Sequence, residues 1–275
     1  MRSILVPVAD HAHTDAVFEA ALMLARRFES YVEGLAIGPD LSGLAGFEIP
    51  MGGPMPDETM WRDLAEQARE QFETFMSAHL PRTTAPRTGA FAWSAQKLVG
   101  DLSLGSYGRV FDIIVLGRPG SAPNAPRMAT FEAALFESGR PVLVVPQRVA
   151  ATLGDNIVIA WNGSTETART VALAMPILEK ARRLTVLTVE GGMVPGPSGQ
   201  QLAQSLAIEG LSVEHKHVTD RQRSAGEVIL TTAASLGADF LVKGAYTQSR
   251  LRQMIFGGQT RHILAEANLP VLFAC

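Results

Sequence analysis

Short apolar runs alternate with longer amphipathic runs along the whole chain, and this alternation predicts an α/β fold. In the second half, strand-sized runs lie at 156–161, 184–189, 213–217, 239–243 and 270–273, and helical periodicity covers 165–181, 199–209, 224–236 and 258–267. The first half has the same order, with strands at 3–8, 31–37, 88–92, 112–116 and 141–145 and helices at 15–28, 57–79, 94–108 and 128–137. Strands that are separated by such helices run parallel, with helices on both sheet faces. The pattern therefore predicts two five-stranded, doubly wound parallel-sheet domains.

The two halves repeat each other near their ends. Residues 112–117 read DIIVLG and residues 239–244 read DFLVKG, and each segment is followed by a polar stretch, a helical run and a Pro-Val-Leu strand. A recurrence in fixed order indicates duplication of one folding unit. We therefore expect one domain at 1–149 and a second at 150–275.

The first domain contains an insertion. The offset between matched residues is 153 for Ile4 and Ile157 but 129 for Pro141 and Pro270, so the extra residues follow the first strand. The Gly- and Pro-rich segment 38–56 is the predicted insertion, and its composition is typical of a long loop. The loop could pack on its own domain, or it could capture a ligand.

Composition narrows the choice of partners and location. The net charge is −3, with acidic and basic residues interspersed, so neither nucleic acid nor a lipid surface is favoured as a partner. No apolar run reaches the roughly 20 residues that span a bilayer, and the N-terminus lacks the layout of a signal peptide. We expect a cytoplasmic protein. The only cysteine, Cys275, excludes an intrachain disulfide.

The loop after the fourth strand of the second half could carry chemistry. Ligands of doubly wound sheets bind beyond the carboxyl ends of the strands. Gly244 ends this strand, and Gly257 and Gly258 precede the next helix. Glycines at a strand end and at a helix N-terminus let backbone amides approach an anion, and the helix dipole favours it. This spacing predicts a phosphate site. The alternative is that the glycines only turn the strand into the helix.

These features together resemble the universal stress protein family, in its tandem-domain form. The resemblance rests on the two five-stranded units, on the sequence IVIAWNGS at 157–164, and on the glycine-rich element before the last Pro-Val-Leu strand. It implies Rossmann-like domains of the adenine nucleotide alpha hydrolase type, with ATP as ligand and Mg accompanying the nucleotide. It also implies that strands 142–145 and 271–273 pair in an internal pseudo-dimer, with a further homodimer left open.

The resemblance extends to the phosphate loop. In ATP-binding members this loop reads Gly-x-x-Gly, nine residues, then Gly-Ser/Thr. Gly244 and Gly257 match it, whereas Thr247 replaces the second glycine and Gly258 replaces the hydroxyl residue. Gln259 and Thr260 follow, and Thr260 could supply a displaced hydroxyl. Arg250 and Arg252 lie inside the connection, where they could reach phosphate oxygens or remain solvated.

The resemblance also assigns the adenine end of the site. Asn162 stands after the first strand, where the family usually has aspartate, so an amide replaces a charge. Val189 falls near the end of the second strand, where family members hold adenine through backbone groups. The expected nucleotide site is thus completed by residues from three strand ends.

The first half departs further from the family pattern. Gly117 and Gly120 are kept, but Thr130 and Phe131 stand where the later glycine is expected. The connection also carries three prolines, Pro119, Pro123 and Pro126, and prolines lack the amide that would bind phosphate. We expect no nucleotide in this half in the family manner.

Signatures of other functions are missing from the sequence. It contains no P-loop, no dinucleotide-binding Gly-x-G-x-x-Gly after the first strand and no nucleophile-elbow Gly-x-Ser-x-Gly. His215 with His217, and Asp10 with His11 and His13, are favoured as edge-strand and loop residues over metal ligands. We therefore expect no enzyme. In this interpretation, a bound nucleotide would order the 244–258 connection and change a surface that a protein partner recognises. One alternative is an interaction or signalling module that does not depend on nucleotide. A second alternative is a weak ATP hydrolase.

Overall fold

The chain divides into two compact units. The computed structural model describes residues 1–9, 11–38, 58–95, 99–122, 124–245 and 258–275. Unit 1 comprises Met1–Leu116 and Ser121–Arg140, and unit 2 comprises Gly117–Gly120 and Pro141–Cys275. The predicted insertion at 38–56, beyond Gly38, lies outside the described residues, as does Asp10.

Unit 1 has four parallel strands in the order β3-β2-β1-β4, with helices between them. Its elements are β1 (Ser3–Val8), α1 (Thr14–Phe28), β2 (Tyr31–Ala36), α2 (Glu58–Ser77), β3 (Phe91–Trp93), α3 (Asp101–Gly108), β4 (Ile113–Gly117) and α4 (Met128–Glu137). Strand β2 is buried along its whole length, as a strand covered on both faces should be. Gly34 in β2 allows α2 to approach, because a Cβ there would lie 2.7 Å from the Phe72 ring and from Trp93.

Two predicted element starts in unit 1 are wrong. Strand β3 begins at Phe91 and not at Thr88. Helix α3 begins at Asp101 and not at Ser94. The chain before it continues to pair with β2: the Ser94 amide donates to the Gly34 carbonyl (2.8 Å), and the Val99 amide donates to the Ala36 carbonyl (3.1 Å). These backbone bonds outweigh the helical periodicity of the side chains.

A buried polar network lies on β2. Glu33 is only 7% exposed, and its carboxylate accepts hydrogen bonds from the hydroxyls of Tyr31 (2.6 Å) and Tyr107. Burial, and secondarily the bond to Glu33, raises the pKa of both tyrosines, so both hydroxyls remain donors through the physiological range. The carboxylate is therefore held by two donors from different elements.

We expect Tyr107→Phe to destabilise the protein by about 1–3 kcal/mol, because it removes a donor from a buried carboxylate while keeping the ring that packs on Phe111. Urea denaturation measures the change. In a Glu33→Gln background the same substitution should cost less, since the acceptor is then neutral. A loss under about 0.5 kcal/mol in the wild-type background would contradict the assigned role.

Unit 2 has six strands in the order β5-β10-β9-β6-β7-β8. Its elements are β5 (Val142–Val145), β6 (Asn156–Ala160), α5 (Thr165–Leu178), β7 (Arg183–Val189), α6 (Gly199–Ile208), β8 (Val213–Val218), α7 (Ala225–Ser235), β9 (Phe240–Gly244), α8 (Gly258–Glu266) and β10 (Val271–Ala274). Strands β6 to β10 run parallel to one another, and β5 pairs antiparallel with β10. The expected pairing of the two final strands is confirmed, and so is the α/β fold with parallel strands.

Side-chain caps position the helices of unit 2. The Ser164 and Ser224 hydroxyls accept from the amides of Thr167 and Glu227. A complete reciprocal capping box forms at Ser198, the N-cap of α6. Helix α5 continues through Pro176 but ends at Leu178, three residues before its predicted end.

Candidate functional site

The loop after β6 is held together by the side chain of Asn162. This residue is 8% exposed, and its Oδ1 accepts from the Thr167 hydroxyl (2.7 Å) and from the Ser164 amide (3.2 Å). The Ser164 hydroxyl in turn caps α5. The Asn162 side chain thus joins the strand end to the first turn of α5, a structural role that its position in the sequence does not reveal.

Gly244, at the carboxyl end of β9, packs against the same helix turn. A Cβ at this position would lie 2.6 Å from the Thr167 hydroxyl and closer still to the Thr167 backbone nitrogen. No residue larger than glycine fits without moving the helix. Thr167 therefore contacts both Asn162 and Gly244, and it brings two predicted site residues together.

The loop after β7 folds back over the loop after β6. The Val194 amide donates to the Asn162 carbonyl (2.9 Å), and the Trp161 indole donates to the Pro197 carbonyl (2.8 Å). Gly163, at φ +84°, and Gly196 allow this approach, because a Cβ on Gly196 would collide with the Gly163 carbonyl oxygen. The backbone beside the predicted adenine end is therefore fixed by contacts between residues far apart in sequence.

Val189 and Gln259 are also brought near each other. The Val189 carbonyl accepts from the Gly192 amide (3.2 Å), and a Cβ on Gly192 would lie 2.8 Å from Gln259 Nε2 and 3.2 Å from the Ala225 Cβ. The end of β7 thus reaches the first turn of α8 through Gly192. One backbone group that the family resemblance assigns to adenine is already used in this turn.

The start of α8 contains the remaining predicted phosphate residues. A Cβ on Gly258 would meet no atom of the described residues within 4 Å, so among these residues the first turn of the helix is open on that side. Thr260 is buried and faces inward. The predicted site residues Thr247 and Gly257, and the arginines Arg250 and Arg252, lie outside the described residues.

Sequence reasoning missed Lys243, the residue before Gly244. Lys243 is 2% exposed, its Nζ donates to the Gly244 carbonyl (3.0 Å), and burial lowers its pKa to about 8. The signal was present in the repeat, because DFLVKG places a lysine where DIIVLG has a leucine. A buried cation therefore lies at the carboxyl end of β9.

A polar cavity of about 380 Å³ opens beyond the ends of β7 and β8. It is lined by Glu190, Gly191, Asp220, Arg221, Arg223 and Ala225. Its charges pair with one another, Arg223 with Asp220 at 2.8 Å and Arg221 with Glu190 at 3.5 Å. Hydrogen bonds lower the pKa of both carboxyls: a side-chain bond from Thr219 acts on Glu190, and a backbone bond from Gln222 acts on Asp220. The cavity is thus close to neutral and adjoins Val189.

The corresponding region of unit 1 is occupied by its own side chains. The Arg127 guanidinium at the start of α4 donates to the Gly38 carbonyl (2.8 Å) and pairs with the buried Asp101 (3.0 Å). The Thr130 hydroxyl donates to the same carboxylate oxygen (2.7 Å). These contacts join the chain after β2, the start of α3 and the start of α4.

The described part of the chain shows neither a metal-binding cluster nor a membrane-spanning helix. Within the described ranges, no group of three or more His, Cys, Asp or Glu side chains is arranged to hold a metal ion. His215 instead lies 3.3 Å from the Thr188 hydroxyl, on strand β8. No helix in the described part of the chain is long and apolar enough to cross a membrane.

The fold and the strand-end loops define a Rossmann-like α/β protein. Residues 154–274 match the model of the universal stress protein family. This match agrees with the resemblance noted in the sequence, over the residues that it covers. No curated protein matches the chain.

Solved structures share the fold across the whole chain. A universal stress protein from Archaeoglobus fulgidus DSM 4304 is similar, with a TM-score of 0.71, 15% identity, and coverage of 99% of this chain and 97% of that one. A protein from Pseudomonas aeruginosa UCBPP-PA14, provisionally described as a universal stress protein, has a TM-score of 0.53, 17% identity, and coverage of 100% and 93%. At these identities the likeness concerns the fold.

The two site glycines differ in what surrounds them, so substitution by alanine should separate them. We expect Gly244→Ala to destabilise the protein by about 1–3 kcal/mol, because its Cβ would collide with the first turn of α5. Gly258→Ala should be neutral or stabilising by up to about 1 kcal/mol, since its Cβ enters open space in a helix. Urea denaturation of both variants checks this; equal losses would show that the Gly244 contact is not tight.

Proposed function

We propose that this chain is a cytoplasmic, tandem universal stress protein whose second unit binds an adenine nucleotide, with Mg accompanying it, in a regulatory role. The observation that carries the proposal is the convergence of the site residues. Asn162 and Gly244 meet at Thr167, and Val189 and Gln259 meet at Gly192. Both groups lie where doubly wound sheets bind ligands, at the carboxyl ends of the strands.

The two groups suit different parts of the ligand. The open first turn of α8 at Gly258 offers helix-terminal amides to phosphate oxygens. The backbone at Val189, held by the Gly192 turn, faces the adenine end in the family arrangement. Asn162 contributes by fixing the loop, because its Oδ1 is already engaged by Thr167 and Ser164. In this proposal Asn162 orients the site and is not the principal ligand contact.

The proposed action is binding rather than turnover. A nucleotide that bound the 244–258 connection in one conformation would shift the protein towards that conformation, and a protein partner could read the resulting surface. Unit 1 would not bind nucleotide in this way, because Arg127, Asp101 and Thr130 interact with one another at the start of α4.

Gly258→Glu should abolish ATP binding while leaving the fold intact. The side chain enters open space and favours the helix N-terminus by about 0.3–1 kcal/mol, yet its carboxylate repels phosphate. Isothermal titration calorimetry with ATP and magnesium should show at least about a tenfold loss of affinity. Gly258→Ala is the matched control and should retain wild-type affinity.

The same titrations test the alternatives. If wild-type protein shows no heat or thermal shift at millimolar ATP, the nucleotide-independent interaction module takes precedence, as the internal hydrogen bonds of Asn162 and Val189 would then suggest. ADP release by the wild type clearly above that of Gly258→Glu would instead support a weak ATP hydrolase. Equal ATP affinity in wild type and Gly258→Glu would refute the proposed phosphate site.

A further inference from the structure

Lys243 is a buried ammonium with little to compensate it. Its side chain is 2% exposed, and its hydrogen bond in the described part of the chain goes to the neutral carbonyl of Gly244. Burial lowers its pKa, and no carboxylate among the residues that the structure describes contributes to this shift. An isolated buried charge is costly, so proteins normally pair such groups or keep them neutral.

The fold itself does not require a cation at this position. The repeated unit provides an internal comparison: Leu116 precedes Gly117 in β4, as Lys243 precedes Gly244 in β9, and Leu116 is also buried. A leucine can therefore occupy the corresponding buried position at the end of the equivalent strand. Lys243 costs stability that a leucine would not, which is typical of a functional residue.

The ammonium group lies at the edge of the sheet where the nucleotide is proposed to bind. Gly244 faces Thr167 of α5, and neighbouring residues of a strand alternate in direction, so Lys243 lies on the opposite face. Its Nζ nevertheless reaches the carboxyl end of β9, because it donates to the carbonyl of the strand's last residue. This places a positive charge beside the residue that opens the glycine motif.

We propose that Lys243 is the buried countercharge for the phosphates of the ligand, so that unit 2 selects di- and triphosphates over nucleosides. This inference rests on the proposed function. A buried ammonium group would explain how this motif could still bind an anion, although Thr247 replaces the family's second glycine and Gly258 replaces its hydroxyl residue. The phosphate would supply the negative charge that the described residues do not place beside Lys243. Lys243 would then increase the affinity for the ligand through electrostatic attraction.

The charge state of Lys243 links binding to pH. In the free protein the pKa of Lys243 is lowered to about 8, and a bound polyphosphate raises it again by favouring the ammonium form. Binding above pH 8 therefore takes up a proton, and affinity falls as pH rises. Neighbouring elements carry other titratable groups: Glu166 and Arg169 in α5, Cys275 after β10, and Arg261, His262 and Glu266 in α8. The pH dependence of ATP binding must therefore be compared between the wild type and a variant in which only Lys243 is replaced.

Lys243→Met keeps the length of the side chain and removes its charge, and Lys216→Met, at an exposed position of β8, is the matched control. Calorimetry should show that Lys243→Met binds ATP at least about tenfold more weakly and loses the fall in affinity above pH 8. Affinity for adenosine should be unchanged. The ligand-free Lys243→Met variant should also melt at a higher temperature than the wild type at pH 7. Lys216→Met should behave as wild type in every measurement.

The outcomes separate this inference from the proposed function. Wild-type protein that binds ATP, together with Lys243→Met that binds it equally well, overturns the role of Lys243 and leaves nucleotide binding standing. Wild-type protein that binds neither ATP nor inorganic tripolyphosphate overturns both. If Lys243→Met does not fold, calorimetry of the wild type in two buffers of different ionisation enthalpy decides, since the absence of proton uptake on ATP binding at pH 8.5 refutes the inference.

Discussion

The candidate site depends on one close contact, the packing of the Gly244 backbone against the first turn of α5. Thr167 lies at the centre of this contact, since its hydroxyl also donates to Asn162. The end of β9 and the loop after β6 are therefore held at a fixed distance. Because interiors are packed to crystal-like density, even one added methyl group would have to move the helix. The position of the loop after β7 then follows, since Val194 bonds to Asn162.

Much of the fold could be predicted from the sequence, because hydrophobic period and helix caps are local properties. The strands lie within a few residues of where the pattern placed them. The predicted start of α3 was wrong because Ser94 and Val99 form backbone hydrogen bonds with β2. The periodicity of the side chains does not reveal such backbone pairing. The local sequence pattern therefore predicts which helices and strands form. It predicts their boundaries less well where these depend on pairing between distant segments.

The site was less predictable than the fold, and for a different reason. The sequence indicated which loops to inspect, but whether the Asn162 oxygen faces a ligand or the protein's own hydroxyls depends on the path of α5. Lys243 shows the reverse case. Its position in an apolar strand is visible in the sequence, but its burial, and the absence of a carboxylate partner among the described residues, can be judged only in the structure. A repeat in which one copy carries a charged residue where the other copy has an apolar one is a useful signal for such residues.

The anchored loop after β7 has a consequence for the kinetics of recognition. With the Trp161 indole bonded to Pro197 and Gly196 against Gly163, this segment loses little backbone freedom when a ligand arrives. If the second unit binds a nucleotide as proposed, the loop beside the base would be preorganised, and the entropic penalty of association would fall mainly on the remainder of the site. Ligands with the same base should consequently have similar association rate constants. Differences in their affinity should appear mainly in their dissociation rate constants.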